Sequence, residues 1–490
     1  MSDYSSGTAV EDDVEIEFAT EPDDAEERNS IGWSDEEVKK KIQELLECVA
    51  ALRMDQKGKL DRVLKWRRQV EAVPEPRLRN INPLKNPSNV VPPLMQTYHQ
   101  ALSAWINNYF STSPFFGIRS LKDTDDAHLD ATFLTKYLNI LGDSASDLNL
   151  APIKRMISDE AALVGRCFVK VVWTRDSWAY KRDGVGDAED GSTSTETVEM
   201  VYHEGPEIVV VCPEEAVFSS QWNSLYDLPM IAHLYRLPRH ELEALGARGV
   251  FDPEEVATVL GKPTTDLPKD QSILLRDEGV NPSYVDDYYD IAEVWFYHDH
   301  DGDGIAEEYV WTIHIDSGCP LRLDFNQLGS RMFENFRWIA HTYDLDGRGV
   351  GQALEGLQDE ASSIHNIRND SMRIVNMRML QMPASVVKAN SEELYPGKIW
   401  INDSNQVIQP LQLGEVYPSS LEAEDRTWNL AAQATAFSEV QRGFSDQTLK
   451  SRDTWRGQEL RMGQSQGITT TIADGMRETW NRVTLLIILQ

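Results

Sequence analysis

The feature that most constrains this chain is the run from Leu357 to Met382, which contains neither proline nor glycine. Apolar residues recur here at helical spacing, at Leu354, Leu357, Ala361 and Ile364. With the residues before it, the run predicts an amphipathic helix of about 30 residues, roughly 45 Å long, that ends at Pro383. Such a helix is longer than most helices of globular proteins, so we expect the chain to be organised around it.

Length and composition place the chain among soluble folded proteins. Its 490 residues suffice for about three domains or for one large elongated subunit, and its 41% hydrophobic and 26% charged residues are ordinary for a globular protein. No apolar run is long enough to span a membrane, and the acidic N-terminus argues against a signal peptide. The four cysteines are far apart without a C-x-x-C pair, which argues against a zinc site or a disulfide framework.

The chain is strongly acidic, with a formal net charge of −33. Much of this charge lies at the start, where residues 1–37 contain 14 acidic side chains and the single base Arg28. Residues 1–33 are therefore predicted to form an acidic, disordered leader. Tight sequence-specific DNA binding is disfavoured, because phosphate contacts require Lys and Arg to release counterions. A surface over which DNA slides without sticking is compatible with this charge.

Helices are predicted on both sides of a β-rich region. Ser34 and Glu37 have the spacing of an N-terminal capping box, and the helix that follows is expected to reach about Leu64. Prolines within residues 74–93 predict an extended connector. Further helices are predicted at about 95–110, 130–141, 153–163, 417–437 and from 455 onward. Strands are predicted at 167–173, 198–202, 207–212, 384–388 and 397–401.

Two strong strand patterns, Ile291–Tyr297 and Tyr309–Ile315, flank an acidic turn and predict a β-hairpin. The turn matches the opening D-x-D-x-D-G of a calcium loop, which would bind Ca²⁺ or Mg²⁺ through Asp299, Asp301 and Asp303. Val310 stands where that motif needs a bidentate Glu, and strands flank the loop instead of helices. The alternative is an ordinary hairpin turn in which glycine supplies positive φ. A metal-dependent hydrolase using Asp299–Asp303 is the corresponding alternative function.

The order of these elements resembles that of tailed-bacteriophage portal proteins, also called head-to-tail connectors. The hairpin EVWFY…DGDGIAEEYV is followed by an aromatic segment, by Gly347-Arg348-Gly349 and by the long helix. In portal proteins a small clip stands between two stem helices in this same order. The resemblance implies a mixed α+β portal fold with long stem helices, a small β-containing clip, an α/β wing, and a kinked helix with a tunnel loop.

The resemblance also implies a division of the chain. Residues 34–236 would form the first part of the wing, 237–262 the first stem helix region, 263–344 the clip, and 345–382 the second stem helix. Residues 383–440 would return to the wing, 441–454 would form the tunnel loop, and 455–490 the helix next to wing and crown. Gly347-Arg348-Gly349 is interpreted as a hinge, because it lacks the G-K-[ST] ending of a phosphate loop.

By the same resemblance, two groups of residues are expected to touch DNA. The tunnel-loop group, which would contact the DNA backbone without reading bases, is Arg442, Gly443, Lys450 and Arg452. The alternative for its bases is a solvated position near a helix break. The stem group, which would line the channel or pair with acids of a neighbouring subunit, is Arg368, Arg373 and Arg378. Glu355 and Asp359 are expected on an acidic channel wall that keeps sliding friction low.

The function that the resemblance implies is structural, with no catalytic residues. Copies would close by rotation into a homododecameric ring at one capsid vertex of the virion. Double-stranded DNA, contacted non-specifically, would pass through the ring during packaging and ejection. The expected partners are the terminase large subunit, a head–tail adaptor, and the major capsid and scaffold proteins, with no membrane; assembly would occur in the host cytoplasm. Another head–tail connector component is a further alternative.

Overall fold

The structure is a computed structural model that describes residues 33–74, 87–111, 114–143, 148–183, 195–219, 221–262, 288–300, 302–377, 379–382, 398–401, 409–410, 419–435 and 455–489. These residues form a mixed α+β fold, as the sequence predicts. Within them, no helix is long and apolar enough to cross a membrane.

The helices in this part of the chain are α1 (Asp35–Val70), α2 (Leu94–Phe110), α3 (Asp125–Leu141), α4 (Leu150–Val164), α5 (Arg239–Ala247), α6 (Pro253–Leu260), α7 (Val350–Asn376), α8 (Ser419–Thr435) and α9 (Trp455–Leu489). The helices predicted at 95–110, 130–141, 153–163, 417–437 and from 455 are therefore confirmed as α2, α3, α4, α8 and α9.

The strands are β1 (Arg166–Asp183), β2 (Thr195–Val211), β3 (Ala216–Phe218), β4 (Met230–Pro238), β5 (Tyr288–His298), β6 (Glu307–His314), β7 (Pro320–Phe325), β8 (Phe333–Arg337), β9 (Leu380–Met382), β10 (Ile399–Ile401) and β11 (Gln409–Pro410). They form three sheets with the strand orders β2-β1-β8, β3-β4-β5-β6-β7 and β10-β9-β11. The two strands predicted at 198–202 and 207–212 are one strand, β2, and the strand predicted at 384–388 lies outside the described residues.

Helix α1 begins where the sequence predicts. The Ser34 hydroxyl accepts a hydrogen bond from the Glu37 N–H (3.4 Å), and the Glu37 carboxylate accepts one from the Ser34 N–H (3.0 Å). The first half of α1 packs on the five-stranded sheet through Val38, Ile42, Leu45 and Val49. Its second half reaches the main core through Trp66. Because α1 joins two cores, packing carries it beyond the predicted end to Val70.

The predicted hairpin is confirmed, but it is part of a larger sheet. β5 pairs with β6 on one edge and with β4 on the other, both antiparallel. Both faces of β5 are buried: Phe296 packs in the core beneath α1, and Trp295 contacts Phe333 at 5.8 Å between ring centroids. A strand covered on both faces and both edges is a central strand. β5, β6 and β7, which lie in the predicted clip at 263–344, therefore share a sheet with β3 and β4, which the resemblance assigns to earlier segments of the chain.

Residues 237–262, which the resemblance assigns to the first stem helix region, contain the end of β4 and two short helices. α5 ends at Ala247, Gly249 adopts φ +73°, and Asp252 caps α6, which begins at Pro253. Proline begins a helix readily but cannot continue the preceding one, because it lacks an N–H and its ring clashes with the turn before it. These residues therefore form two short helices and not one continuous helix, and their place in a stem stays a prediction.

The predicted long helix is confirmed over the 27 residues Val350–Asn376, but it ends before Pro383. Met377 adopts an extended conformation (φ −73°, ψ 119°), and Leu380–Met382 form β9 between β10 and β11. The predicted continuation to Met382 is wrong: Met, Arg, Leu and Gln favour helix here, but the preference is small per residue, and strand pairing with residues 399–401 and 409–410 outweighs it.

The main core lies between α2, α4, the sheet β2-β1-β8, the start of α7 and the second half of α9. Tyr98 and Phe168 are fully buried there. From α9, Trp480 and Val483 pack into the same core, and Trp480 contacts Phe110 at 5.7 Å between ring centroids. Of the apolar run near the end of the sequence, Val483, Leu486 and Ile487 are core and fix α9 to the sheet, whereas Leu485, Ile488 and Leu489 are exposed.

A lysine lies inside this aromatic core. Lys154 of α4 is 2% exposed, and its Nζ lies 4.2 Å from the Trp480 ring centroid and 4.6 Å from that of Phe110. The Nζ donates a hydrogen bond to the Phe110 carbonyl oxygen at 3.3 Å. Burial, assisted by the positive charge of Arg477, lowers the pKa of Lys154 to about 7.

We expect Lys154→Met to change how stability depends on pH. Between pH 7 and pH 9 the unfolded chain keeps the proton on residue 154 while the folded chain releases it, so the contribution of this group to stability rises with pH. Relative to the variant, the wild type should gain about 2 kcal/mol over this range. Urea unfolding at the two pH values measures this, with the exposed Arg155→Met as control. A difference between wild type and Lys154→Met that does not vary with pH would contradict a buried, titrating lysine.

Candidate functional site

The candidate site is the long helix α7 together with the segments that contact it, because the resemblance to portal proteins implies that this helix lines the channel. Four sets of contacts determine what α7 can present to DNA or to another subunit. They involve α1, the connector before α2, helix α8, and the turn between α4 and β1.

The acidic side of α7 faces α1. The Glu355 carboxylate accepts hydrogen bonds from Arg62 (2.9 Å), Lys65 (3.2 Å) and Trp66 Nε1 (3.1 Å), and Asp359 accepts one from Lys65 (2.7 Å). Burial alone would raise the pKa of Glu355, but these three hydrogen bonds outweigh it and lower that pKa. Both carboxylates are paired with bases of the same chain, and Asp359 is still about half exposed, so the acidic channel wall at Glu355 and Asp359 stays a prediction.

The bases of α1 are important residues that the sequence patterns above do not single out. Residues 53–70 carry seven bases and two acids in a chain of net charge −33. Besides the contacts with α7, Lys59 pairs with Asp344 (3.4 Å), and Arg67 pairs with Glu160 (2.9 Å) and Glu214 (2.6 Å). A cluster of bases on one half of a helix, in a chain that is otherwise acidic, is the sequence signal that predicts a surface for contacts with acidic side chains.

The amide side chains of α7 hold the connector before α2. The Gln358 Oε1 accepts a hydrogen bond from the Met95 N–H (2.9 Å), and its Nε2 donates to the Pro92 carbonyl oxygen (2.8 Å). Two turns later, Asn366 exchanges hydrogen bonds with the N–H (2.8 Å) and carbonyl (2.9 Å) of Val90. These amides satisfy backbone groups that an extended, proline-containing segment cannot pair by itself.

The two described bases of the stem group lie in different surroundings. Arg368 is 15% exposed and forms an ion pair with Glu424 of α8. Arg373 is about half exposed and lies 3.7 Å from Asp370 on its own helix. Arg368 therefore joins two helices of one chain, and Arg373 is about half exposed; the position of both bases on a channel or at a subunit contact stays a prediction.

The glycines before α7 and at its second position allow close contacts with neighbouring segments. A Cβ on Gly349 would lie 2.5 Å from the backbone N of Gly165, and one on Gly351 would lie 2.6 Å from the Trp66 ring. A Cβ on Gly347 would overlap the Gly165 carbonyl oxygen. The turn between α4 and β1 packs directly against this segment, so the interpretation of Gly347-Arg348-Gly349 as a hinge is wrong: the glycines are needed for space.

Alanine substitution at two positions of α7 tests this packing. Gly351→Ala should lower the free energy of unfolding by about 2 kcal/mol, because the added methyl group overlaps the Trp66 ring. Gly356→Ala is the matched control: nothing lies within 4 Å of its Cβ position, so the helix preference of alanine should raise stability by up to about 1 kcal/mol. Urea unfolding midpoints measure both, and equal shifts for the two variants would rule out the close contact.

The acidic turn between β5 and β6 has the hydrogen bonds of a structural turn. The Asp299 carboxylate accepts from the N–H groups of Gly302 (2.7 Å) and Gly304 (2.9 Å), which both have positive φ. Asp303 accepts from the Ile305 N–H at 2.7 Å. Among the residues that the structure describes, no group of three or more His, Cys, Asp or Glu could hold a metal ion. These contacts support the hairpin-turn interpretation over a metal-dependent hydrolase.

Several predicted site residues lie outside the described residues. They are Asp301, Arg378, Arg442, Gly443, Lys450 and Arg452.

Comparison with known proteins tests the predicted family. A family model described as phage SU10 portal protein matches residues 158–488, about two thirds of the chain. A search of curated proteins finds no match. The matched region extends from within α4 almost to the end of α9, whereas α1, α2 and α3 precede it. The resemblance to phage portal proteins is thereby confirmed, and the chain belongs to the phage SU10 portal protein family.

Proposed function

We propose that this chain is the portal subunit of a tailed phage and assembles into a homododecameric ring at one vertex of the capsid. The observation that carries the proposal is the family match over residues 158–488. Portal proteins are structural and non-enzymatic, and the ring is the passage through which DNA enters during packaging and leaves during ejection. ATP hydrolysis then belongs to the terminase.

In this proposal, α7 is the second stem helix and the turn of the β5–β6 hairpin is the tip of the clip. The side chain of Ile305 in that tip is 67% exposed. Such exposure is required of a surface that docks the terminase large subunit and then a head–tail adaptor. Residues 34–236 and 383–440 form the wing, which faces the major capsid and scaffold proteins. The location is the virion, and the host cytoplasm during assembly.

DNA contact in this proposal is non-specific and depends on few bases. The tunnel loop, residues 441–454, contributes Arg442, Lys450 and Arg452 around Gly443, and the stem contributes Arg373. These side chains contact phosphates and read no bases. The net charge of −33 keeps the remaining surface from holding the DNA, because like charges repel it.

Packaging into phage heads tests the proposal. Heads assembled with this chain should protect genome-length DNA from nuclease after incubation with terminase and ATP, and heads assembled without it should protect none. The triple variant Arg442→Ala, Lys450→Ala, Arg452→Ala should enter heads normally and package less DNA. Equal protection of DNA by heads with and without the chain would refute the portal function.

A further inference from the structure

Helix α3 exposes a continuous apolar stripe on its outer face. Leu129, Phe133, Tyr137 and Ile140 recur at helical spacing and are between 50% and 68% exposed. The Phe133 and Tyr137 rings stack, with 6.3 Å between centroids and 6° between planes. We refer to these four side chains as the α3 stripe.

The opposite face of α3 is fixed to the body of the subunit, so the stripe is not a fraying end. Leu138 is buried in the main core. The Asn139 side chain accepts from the Phe116 N–H (3.1 Å) and donates to its carbonyl oxygen (2.9 Å). The Ile118 N–H donates to Thr135 at 3.2 Å. A helix that is apolar on both faces is stable in water when both faces are packed against other residues. Among the described residues, the chain itself packs against the inner face of α3 and leaves the outer face exposed.

The size of the α3 stripe fits an interface between proteins. Four large apolar side chains at this exposure present on the order of 500 Å², which is near the upper limit for a patch on a monomer. A stable interface buries about 800 Å² on each partner, so the stripe supplies most of one side of such a contact. The stacked, already ordered aromatic pair lowers the entropy lost on binding.

We propose that the α3 stripe is covered by a second copy of this chain. The inference rests on the proposed ring, in which every subunit contacts its neighbours through two different surfaces so that the contact closes by rotation. The α3 stripe lies before residues 158–488, which the family model matches. The contact would therefore belong to the N-terminal part of this chain.

The receiving surface is assigned to the ribbon of β1 and β2. β8 pairs with β1 from Arg166 to Lys170. From Trp173 to the far end of the hairpin, β1 and β2 pair with each other and with no other strand among the described residues. Trp173, Met200 and Tyr202 are exposed on this two-stranded part. A hairpin alone is marginally stable in water, so packing on a neighbouring subunit would stabilise the ribbon as well as cover the stripe.

Two surface variants test the contact without disturbing the core. The stripe variant carries Phe133→Glu and Ile140→Glu, and the ribbon variant carries Trp173→Glu and Tyr202→Glu, all at exposed positions. The matched control is Met54→Glu, because Met54 is at least as exposed as the stripe (74%) but lies on α1. Mass photometry gives the assembly state, and circular dichroism with thermal melting shows that each variant is folded.

The wild type and the control should form rings, and each surface variant should remain a 55.6 kDa monomer. A one-to-one mixture of the two variants should form dimers and no rings, because one intact stripe can meet one intact ribbon and the next contact is doubly disrupted. This dimer is the signature of a two-surface contact.

Rings formed by the stripe variant at wild-type concentration would overturn the proposal while leaving the portal function intact. If those rings fail to enter heads, the stripe binds a capsid or scaffold protein instead of a second copy. Rings formed by the ribbon variant alone would overturn the ribbon as the receiving surface. A folded wild type that stays monomeric would overturn both this contact and the proposed ring.

Discussion

Glu308→Ala is expected to lower the free energy of unfolding by about 3–5 kcal/mol, the largest effect of a single substitution that this structure predicts. Glu308 is 9% exposed and forms an ion pair with Arg331, which is 1% exposed. The other guanidinium nitrogens of Arg331 donate to the carbonyl oxygens of Leu225 (2.8 Å) and Leu228 (2.6 Å). Because these bonds hold the guanidinium in place, removal of the carboxylate leaves a buried charge without a counterion.

The control for Glu308→Ala is a second ion pair in the same sheet. Arg322 and Asp324 pair on β7 but are both about half exposed. Asp324→Ala should therefore cost less than about 1 kcal/mol, since water screens the exposed pair. Urea unfolding followed by tryptophan fluorescence compares the two variants. If the two variants lost similar amounts of unfolding free energy, the burial of Arg331 seen in the structure would be contradicted.

Gln358→Leu should lower stability by about 3 kcal/mol, although it keeps the size of the side chain and adds an apolar group to a core position. Gln358 is fully buried and is the partner of the Met95 N–H and the Pro92 carbonyl. Leucine leaves both backbone groups buried and unpaired, at about 1–3 kcal/mol for each. We expect the same variant to increase proteolysis between α1 and α2, because the connector loses its hold on α7.

Gln352→Leu is the control for this prediction, because Gln352 lies on the same helix with an exposed side chain. Its unfolding midpoint should stay close to that of the wild type. If Gln358→Leu were as stable as this control, α7 would not hold the connector through amide hydrogen bonds.

The long helix shows what periodicity predicts and what it does not. The spacing of Leu354, Leu357 and Ala361 indicates a helix with one apolar side, and α7 is that helix. Periodicity does not say what the polar sides touch. Glu355 pairs with bases nearly 300 positions earlier in the chain, and Arg368 pairs with Glu424. Because these partners come together only through the fold, a sequence pattern assigns such residues to the surface by default.

The region around β4 shows the complementary limit. Its sequence, MIAHLYRLP, is mostly apolar and short, and a run of this kind is compatible with either a helix or a buried strand. The structure makes it a strand because β5 offers a pairing edge.

The glycines around the start of α7 are a similar case. Glycine occurs both in flexible and in closely packed segments, and only the contacts with Gly165 and Trp66 show that these glycines are closely packed. The capping box at Ser34, by contrast, is a local interaction and is predicted correctly.

Electron microscopy of the purified full-length protein tests the central claim most directly. Class averages in negative stain should show closed rings of twelve subunits around an axial opening that is wide enough for a DNA duplex and is lined in part by α7. Separate, compact particles of single subunits at micromolar concentration, with no closed ring, would contradict the assignment of this chain as a DNA conduit.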